Sequence, residues 1–315
     1  MLSTESCWRE PPKAPIACAL LALLFGTGAA KAAAAQPALE ELLRGMDRAS
    51  FLYLDTALRF ACTETIVESS PGRNRVRRFE YLFVYDKEHG FQEYRTLSQG
   101  KDRRPVNPVE KGVGLFLERP YMWVLLFNRT RQGKYHYRIL DLETIDGVAT
   151  VQVWFQPIPP YQEAVNDWIG TAWVDPSTYQ IVKVEAMKVK DFEAFTQMQK
   201  DESEVHPLPG QAPRHNHEGK SQTVPMEGPG RSYRVERVTT KFSVLKNGMR
   251  FPGEVRLASI LYYLAMRPEN NRSYEVSKME SKQSYTKYRF YAVRTSEEVR
   301  QILSSNPRPV GPPRN

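Results

Sequence analysis

The chain has 315 residues, of which 41% are hydrophobic and 25% charged, and it carries a formal net charge of +8. This composition is typical of a globular protein and excludes a wholly disordered chain, while the length allows one large domain or two modest ones. The mean hydropathy of −0.52 excludes a polytopic membrane protein.

The first 35 residues have the pattern of a secretory signal peptide. Arg9 and Lys13 precede the apolar run at residues 16–25, and small residues follow up to Ala35. The apolar run is shorter than the roughly 20 residues that span a bilayer. We therefore predict a Sec-type signal peptide at residues 1–35 and an exported, periplasmic protein, with a retained N-terminal anchor as the alternative.

Removal of this segment leaves one cysteine, Cys62, which cannot form an intramolecular disulfide. Its apolar neighbours Phe60 and Ala61 predict a small buried side chain and not a reactive thiol. An exported basic protein meets anionic lipid head groups more readily than nucleic acid, so no nucleic-acid partner is predicted.

A helix and then strands are predicted at the start of the mature chain. Within residues 38–59, apolar side chains recur at spacings of three and four: Leu39, Leu42, Leu43, Met46, Ala49 and Leu52. From Val76 the period changes to two, and one face of the strand is aromatic: Phe79, Tyr81, Phe83 and Tyr85. Turn sequences at residues 69–72 and 89–90 predict further strands on both sides.

The most apolar stretch of the mature chain, residues 113–127, follows a polar loop at 98–112. Pro120 suits the first turn of a short helix over residues 121–127. Because this helix is apolar all round, we expect it to be covered on several sides. We predict a helical insertion over the concave face of a sheet, with four covering side chains: Phe116, Tyr121, Trp123 and Leu126.

Turn sequences divide the next part of the chain into strand pairs. The turns are Asp146-Gly147, residues 175–178 and Asn247-Gly248. They separate predicted strands at 137–145 and 148–155, 170–174 and 181–189, and 233–245 and 250–264, and a last strand follows at 281–293. In total, about nine to eleven antiparallel strands indicate a mainly β (α+β) fold with a large curved sheet or half-open barrel.

Two segments are predicted to lie outside this sheet. Residues 191–232 hold several Pro and Gly with mixed charge and are predicted as a loose insertion. Residues 304–315 form a Pro-rich tail predicted to be disordered, after a short helix at 297–303. One domain over residues 36–303 is therefore expected.

Catalytic and metal-binding patterns are weak. His206, His215 and His217 fall in the loose insertion at spacings that match no metal signature, so a solvated polar loop is the interpretation and no metal is predicted. Neither a Gly-x-Ser-x-Gly elbow nor a His-Glu-x-x-His motif is present. We therefore predict no catalytic residue, no cofactor and no enzymatic activity.

Basic residues cluster near predicted strand ends and turns: Arg73, Arg75, Arg77 and Arg78, then Arg103 and Arg104, then Arg129 and Arg131. They form either a solvated rim or the mouth of a site that attracts anionic head groups.

The excess of large rings on strand faces also has two interpretations. The rings fill a sandwich core, or they line a concave apolar face for a lipid-like ligand. The second interpretation predicts these cavity-lining residues: Phe79, Tyr81, Phe83, Tyr85, Trp154, Trp173, Phe242, Tyr288 and Phe290.

One family resemblance follows from the order of elements and one local pattern. An amphipathic helix at residues 39–52 precedes an antiparallel meander, and Gly170 to Thr178 (GTAWVDPST) leads into Ile181 to Glu185 (IVKVE). Over residues 38–293 the chain resembles the periplasmic lipoprotein-carrier superfamily of the LolA, LolB and RseB type. The resemblance implies a half-open barrel lidded by helices, which carries or senses lipid or lipidated protein in the periplasm.

The leading hypothesis is thus a non-enzymatic carrier that binds acyl chains or lipidated protein and makes peripheral contact with anionic membrane surfaces. A protein-interaction or envelope-stress module on the same scaffold is the main alternative. An outer-membrane barrel and an exported hydrolase are further alternatives, and the oligomeric state is left open.

Overall fold

The computed structural model describes residues 38–57, 59–86, 90–98, 105–161, 167–203, 230–265 and 272–290. Several predictions from the sequence lie outside the described residues: the signal peptide, the helix at 297–303, the tail at 304–315, the three histidines of the insertion, and the Arg103–Arg104 cluster. The Tyr85 side chain also lies outside them.

The chain begins with helix α1 (Leu39–Leu52), which continues as one π-helical turn at Tyr53–Ala57. Strands β1 (Arg59–Ser70), β2 (Arg73–Asp86) and β3 (Gly90–Leu97) follow. Short 3-10 helices at Val109–Lys111 and Pro120–Leu125 then precede helix α2 (Arg129–Gln132). The remaining elements are β4 (Tyr135–Ile145), β5 (Val148–Pro157), β6 (Trp168–Val174), β7 (Ile181–Lys188), α3 (Val189–Ser203), β8 (Gly230–Lys241), β9 (Val244–Lys246), β10 (Met249–Phe251), β11 (Glu254–Ala265) and β12 (Arg272–Phe290).

Ten of these strands form one antiparallel sheet in the order β3-β2-β1-β12-β11-β8-β7-β6-β5-β4. The sheet does not close, because β3 and β4 are its two edges, and β9 and β10 form a separate hairpin. This arrangement confirms the predicted mainly β fold with a large open antiparallel sheet.

One face of the sheet carries the main hydrophobic core, and we call it the inner face. On β1 the side chains of Phe60, Cys62 and Ile66 are buried there, as the period of two requires. Helix α1 packs its apolar stripe onto the same core through Leu42 and Met46.

The opposite, outer face is partly covered by α3. The ring of Phe195 lies 6.1 Å from that of Tyr262, and the Arg237 guanidinium lies 4.9 Å from the Phe195 ring. The prediction of a loose segment from residue 191 is therefore wrong for residues 191–203. Apolar residues at helical spacing, including the buried Val189 and Met198, bind this helix to the sheet.

The long hairpin predicted at 233–245 and 250–264 is also corrected. Strand β8 ends at Lys241 and β11 begins at Glu254, so the Asn247-Gly248 turn joins only the short β9 and β10. The backbone N–H of Phe242 donates to the Val182 carbonyl at 2.8 Å and so extends the pairing of β8 with β7 by one residue before the chain leaves the sheet. Pro252 lacks the N–H that a continuous ladder needs.

Candidate functional site

Strands β1, β2 and β12 place a group of rings side by side on the inner face, which we call the aromatic floor. It consists of Phe60, Tyr81, Phe83, Tyr285, Tyr288 and Phe290. Within it, the rings of Tyr288 and Phe290 stack at 5.6 Å and those of Phe60 and Phe83 at 5.6 Å. Cross-strand neighbours on one face are close enough for such ring contacts.

Residues 113–127, which we call the strap, cross this floor and cover it. The Tyr121 ring lies 4.6 Å from Phe60, 4.9 Å from Phe83 and 5.8 Å from Tyr81. Tyr81 and Phe83 are fully buried, and Tyr121 is 2% exposed. These predicted lining residues therefore pack against a predicted cover residue and leave no space for a ligand between them.

The other predicted lining residues are distributed over both faces. Phe79 belongs to a smaller buried cluster with Ile66 and Val113, against which Phe116 packs. Phe242 is buried in the main core.

Trp154 and Trp173 lie on the outer face, so their prediction as inner lining residues is corrected. The inner residues of β5 are Val151, Val153 and Phe155. Trp154 alternates with them on β5, and Trp173 pairs with Gln152, so both tryptophans lie on the other face of the sheet. The Trp173 indole N–H donates to Glu143 Oε2 at 2.5 Å, and the Lys183 ammonium lies 4.1 Å from its ring.

Polar side chains of the sheet hold the extended part of the strap. One carboxylate oxygen of Glu68 accepts from the backbone N–H groups of Gly114 (2.6 Å) and Leu115 (2.8 Å). The Gln283 amide accepts from the Leu117 N–H at 2.8 Å and donates to the Leu117 carbonyl at 3.2 Å. Since Leu115 and Leu117 are buried, the side chains of Glu68 and Gln283 supply the hydrogen bonds that a strand ladder would otherwise give these backbone groups.

A buried ion pair lies under the strap. The Arg95 guanidinium donates to both carboxylate oxygens of Glu64, at 2.6 Å and 3.2 Å, and both side chains are almost completely buried. Tyr285 and Gln283 also donate to Glu64. Burial alone would lower the pKa of Arg95, but Glu64 more than offsets this and raises that pKa well above its ordinary value.

A cleft of about 670 Å³ lies beside the strap on the inner face. One wall is the strap itself and the other is formed by β6, β7, β8 and β11. The lining residues are Leu115, Phe116, Leu117, Glu118, Arg119, Met122, Trp123, Leu126, Arg131, Trp168, Lys188, Glu236 and Leu257. Its volume is within the range of roughly 300–1,000 Å³ for small-molecule sites, and most of its walls are apolar.

Three of the predicted cover residues, Phe116, Trp123 and Leu126, line this cleft, whereas none of the predicted strand rings does. Trp123 is fixed by an indole N–H that donates to Thr240 Oγ1 at 3.0 Å, and its ring lies edge-on to Trp168 at 5.2 Å. Sequence reasoning missed Trp168, because the residues of β6 that follow it are buried on both faces and their pattern does not show which face is the inner one.

The predicted basic clusters differ in what they contact. Arg75 and Arg77 donate to the carbonyls of Gly112 and Lys111 respectively, and so hold the turn that precedes the strap. Arg131 of α2 instead lines the cleft. Among the cluster residues that the structure describes, Arg131 is thus the one that contributes to the mouth of the apolar site.

The buried hydroxyl and thiol groups of this region are held in their neutral forms. Burial raises the pKa of Tyr121 and Tyr285 well above the ordinary tyrosine value. Burial, helped by the Glu64 carboxylate, likewise raises the pKa of the Cys62 thiol.

Within the described ranges, no three His, Cys, Asp or Glu side chains are grouped so that they could hold a metal ion. No helix in the described part of the chain is both long and apolar enough to cross a bilayer.

No family model and no curated protein matches the chain. Solved structures are similar in fold. An outer membrane lipoprotein-sorting protein domain from Vibrio parahaemolyticus has 10% identity and a TM-score of 0.40, covering 83% of this chain and 99% of that one. A LolA superfamily protein from Nitrosomonas europaea has 13% identity and a TM-score of 0.36, covering 86% and 99%. Pseudomonas aeruginosa MucB in complex with MucA has 11% identity and a TM-score of 0.24, covering 80% and 100%.

One of these similar structures is a LolA superfamily protein, and the LolA type is the one that the sequence resembles.

Proposed function

We propose that the protein is a non-enzymatic, exported carrier that binds the acyl chain of a lipid or lipidated protein in the cleft beside the strap. The observation that carries this proposal is the largely apolar cleft of about 670 Å³ beside the strap on the inner face. Leu115, Leu117 and Leu257 provide aliphatic contacts on its two walls.

The expected strength of binding suits a carrier that must also release its ligand. Burial of an acyl chain contributes about 0.8 kcal/mol per CH₂, so a chain of about 14 carbons gains roughly 11 kcal/mol. Association costs roughly 4–15 kcal/mol in lost motion. The difference leaves binding reversible, as transfer between a membrane and a carrier requires.

Narrowing the cleft tests the proposal. Met122 lines the cleft and is half-buried, so Met122→Trp places a larger ring in the path of the chain. Val276→Trp is the matched control, because Val276 is 47% exposed on β12, away from the cleft.

Displacement of a fluorescent fatty acid from the purified proteins gives the readout. We expect Met122→Trp to weaken binding by about tenfold or more, which corresponds to about 1.4 kcal/mol, with Val276→Trp close to the parent protein. A parent protein that binds no acyl probe, or a Met122→Trp variant that binds as well as the parent, would show that the cleft is not the site.

A further inference from the structure

Five charged side chains interrupt the apolar lining of the cleft. Arg119 lies on the strap, Arg131 on α2 and Lys188 on β7, and the acidic residues are Glu118 and Glu236. The cleft therefore combines aliphatic and aromatic walls with a charged section, an arrangement that matches an amphiphile better than a plain hydrocarbon.

The charges of this section do not cancel. Lys188 Nζ lies 3.6 Å from a Glu236 carboxylate oxygen, which neutralises one cation and one anion. In the part of the chain that the structure describes, no carboxylate lies within 4.0 Å of the Arg119 or Arg131 guanidinium, and both side chains are exposed. Glu118 is the other acid of the lining, so the three cations and two acids that line the cleft leave an excess of one positive charge, with Asp167 as a further acid near Tyr135.

A buried hydroxyl beside Arg131 points to the same ligand chemistry. Tyr135 lies near the Asp167 carboxylate, the Arg131 guanidinium and the backbone of Trp168, and of these residues Arg131 and Trp168 line the cleft. Its hydroxyl oxygen is buried and makes no hydrogen bond of normal geometry with the described residues. A hydroxyl that stays protonated is a donor, and an anionic oxygen is the acceptor that it would bind most strongly.

We propose that the cleft selects amphiphiles with a singly charged anionic head, a carboxylate or a phosphodiester, next to the acyl chain. Arg119 and Arg131 are the specificity-determining residues, since guanidinium groups bind both kinds of oxyanion through paired hydrogen bonds. This inference rests on the proposed function, because the acyl chain must first occupy the cleft.

Ligands that share a chain and differ only in the head test the inference. A 16-carbon fatty acid at pH 8 is compared with its methyl ester, and a phosphatidylglycerol with the phosphatidylcholine of the same chains, by displacement of a fluorescent apolar probe. We expect the purified protein to bind at least one anionic member of these pairs about tenfold more tightly than its partner. Preference within the first pair identifies a carboxylate head, and preference within the second a phosphodiester.

Paired substitutions assign the selectivity to its residues. In the Arg119→Gln, Arg131→Gln double variant, the affinities for the charged and uncharged ligands should converge, with the uncharged ligand bound as before. The control double variant is Arg129→Gln, Arg138→Gln, which removes two exposed cations that do not line the cleft.

The two proposals fail in different ways. Equal affinities of the parent protein for charged and uncharged ligands would overturn the anionic-head inference and leave the acyl site in place. Failure to bind any member of either pair would overturn the proposed function itself. Full selectivity retained in the Arg119→Gln, Arg131→Gln variant would exclude these residues as its source.

Discussion

The phenol ring of Tyr121 lies edge-on to the ring of Phe60, with 4.6 Å between the ring centres and 66° between their planes. This contact joins the strap to the aromatic floor and determines where a ligand can bind. On one side of the strap the rings form a packed core, and on the other side the cleft remains open.

Truncation of Tyr121 tests whether the floor is core. We expect Tyr121→Ala to lower the free energy of unfolding by about 3–5 kcal/mol, because it removes a buried ring that the neighbouring side chains cannot replace. Tyr94→Ala is the control, since Tyr94 is 39% exposed on β3, and it should change stability by less than about 1 kcal/mol. Urea unfolding measures the stability of both variants. A loss of stability in Tyr121→Ala as small as that in Tyr94→Ala would indicate that the strap covers the floor only loosely.

The buried ion pair under the strap should be far more sensitive than an exposed one. Glu64→Gln leaves the Arg95 guanidinium buried without its full countercharge, and we expect a loss of about 3–5 kcal/mol. Glu280→Gln removes one partner of the exposed Lys278–Glu280 pair and should cost less than about 1 kcal/mol. Equal effects in urea unfolding would contradict the burial of the first pair.

How far the sequence predicts this molecule depends on which interactions are local. The alternation on β2 places Phe79, Tyr81 and Phe83 on one face, because the period of a single strand determines it. Strand β6 is different, since its residues from Ile169 onward are buried on both faces, and its pattern cannot show that Trp168 faces inward and Trp173 outward.

Long-range partners are hidden from the sequence for a related reason. Glu64 and Arg95 are 31 residues apart, and Glu64 and Tyr285 are 221 apart, so only the order of strands in the sheet brings them together. The apolar composition of residues 113–127 is enough to predict that the strap is covered. The position of the cleft cannot be predicted in this way, because it depends on which side of the strap the rings of distant strands pack against.

Hydrogen exchange should show that Glu68 holds the strap. Glu68→Ala removes the acceptor of the Gly114 and Leu115 N–H groups, and we expect their exchange to become at least about tenfold faster, for a cost of about 1–3 kcal/mol. Glu68→Gln keeps a carbonyl oxygen at the same place and should exchange more slowly than the Ala variant. Unchanged exchange in Glu68→Ala would show that other contacts hold this part of the strap.

The Cys62 thiol should be unreactive while the protein is folded. Burial and the nearby Glu64 carboxylate raise its pKa, so almost no thiolate forms at pH 8, and the side chain is fully buried. We expect iodoacetamide to leave the peptide that contains Cys62 unmodified in the native protein and to alkylate it in urea. Mass spectrometry of the digested protein gives the readout, and rapid alkylation of the native protein would contradict the prediction.

Asp191 of α3 should make stability depend on pH. Burial raises the pKa of this carboxyl, and the Glu236 N–H, which donates to it at 3.3 Å, opposes the shift only in part. The folded state therefore favours the protonated form. The stabilising contribution is present below the unfolded pKa of about 3.9 and is lost as pH rises through the higher folded value.

Comparison with Asp191→Asn isolates this dependence, because the amide does not titrate and its carbonyl oxygen can still accept from Glu236. We expect the unfolding free energy of the parent protein, relative to the variant, to fall as pH rises from about 3 towards 7. Compared with Asp191→Ala, the unfolding free energy of the parent protein should fall with pH at the same slope. The difference should also contain a constant term, since the Ala variant lacks the acceptor of the Glu236 N–H. A difference from Asp191→Asn that rises with pH would mean that the folded protein favours the charged carboxylate, and helix α3 would then be held to β8 by charge and not by burial.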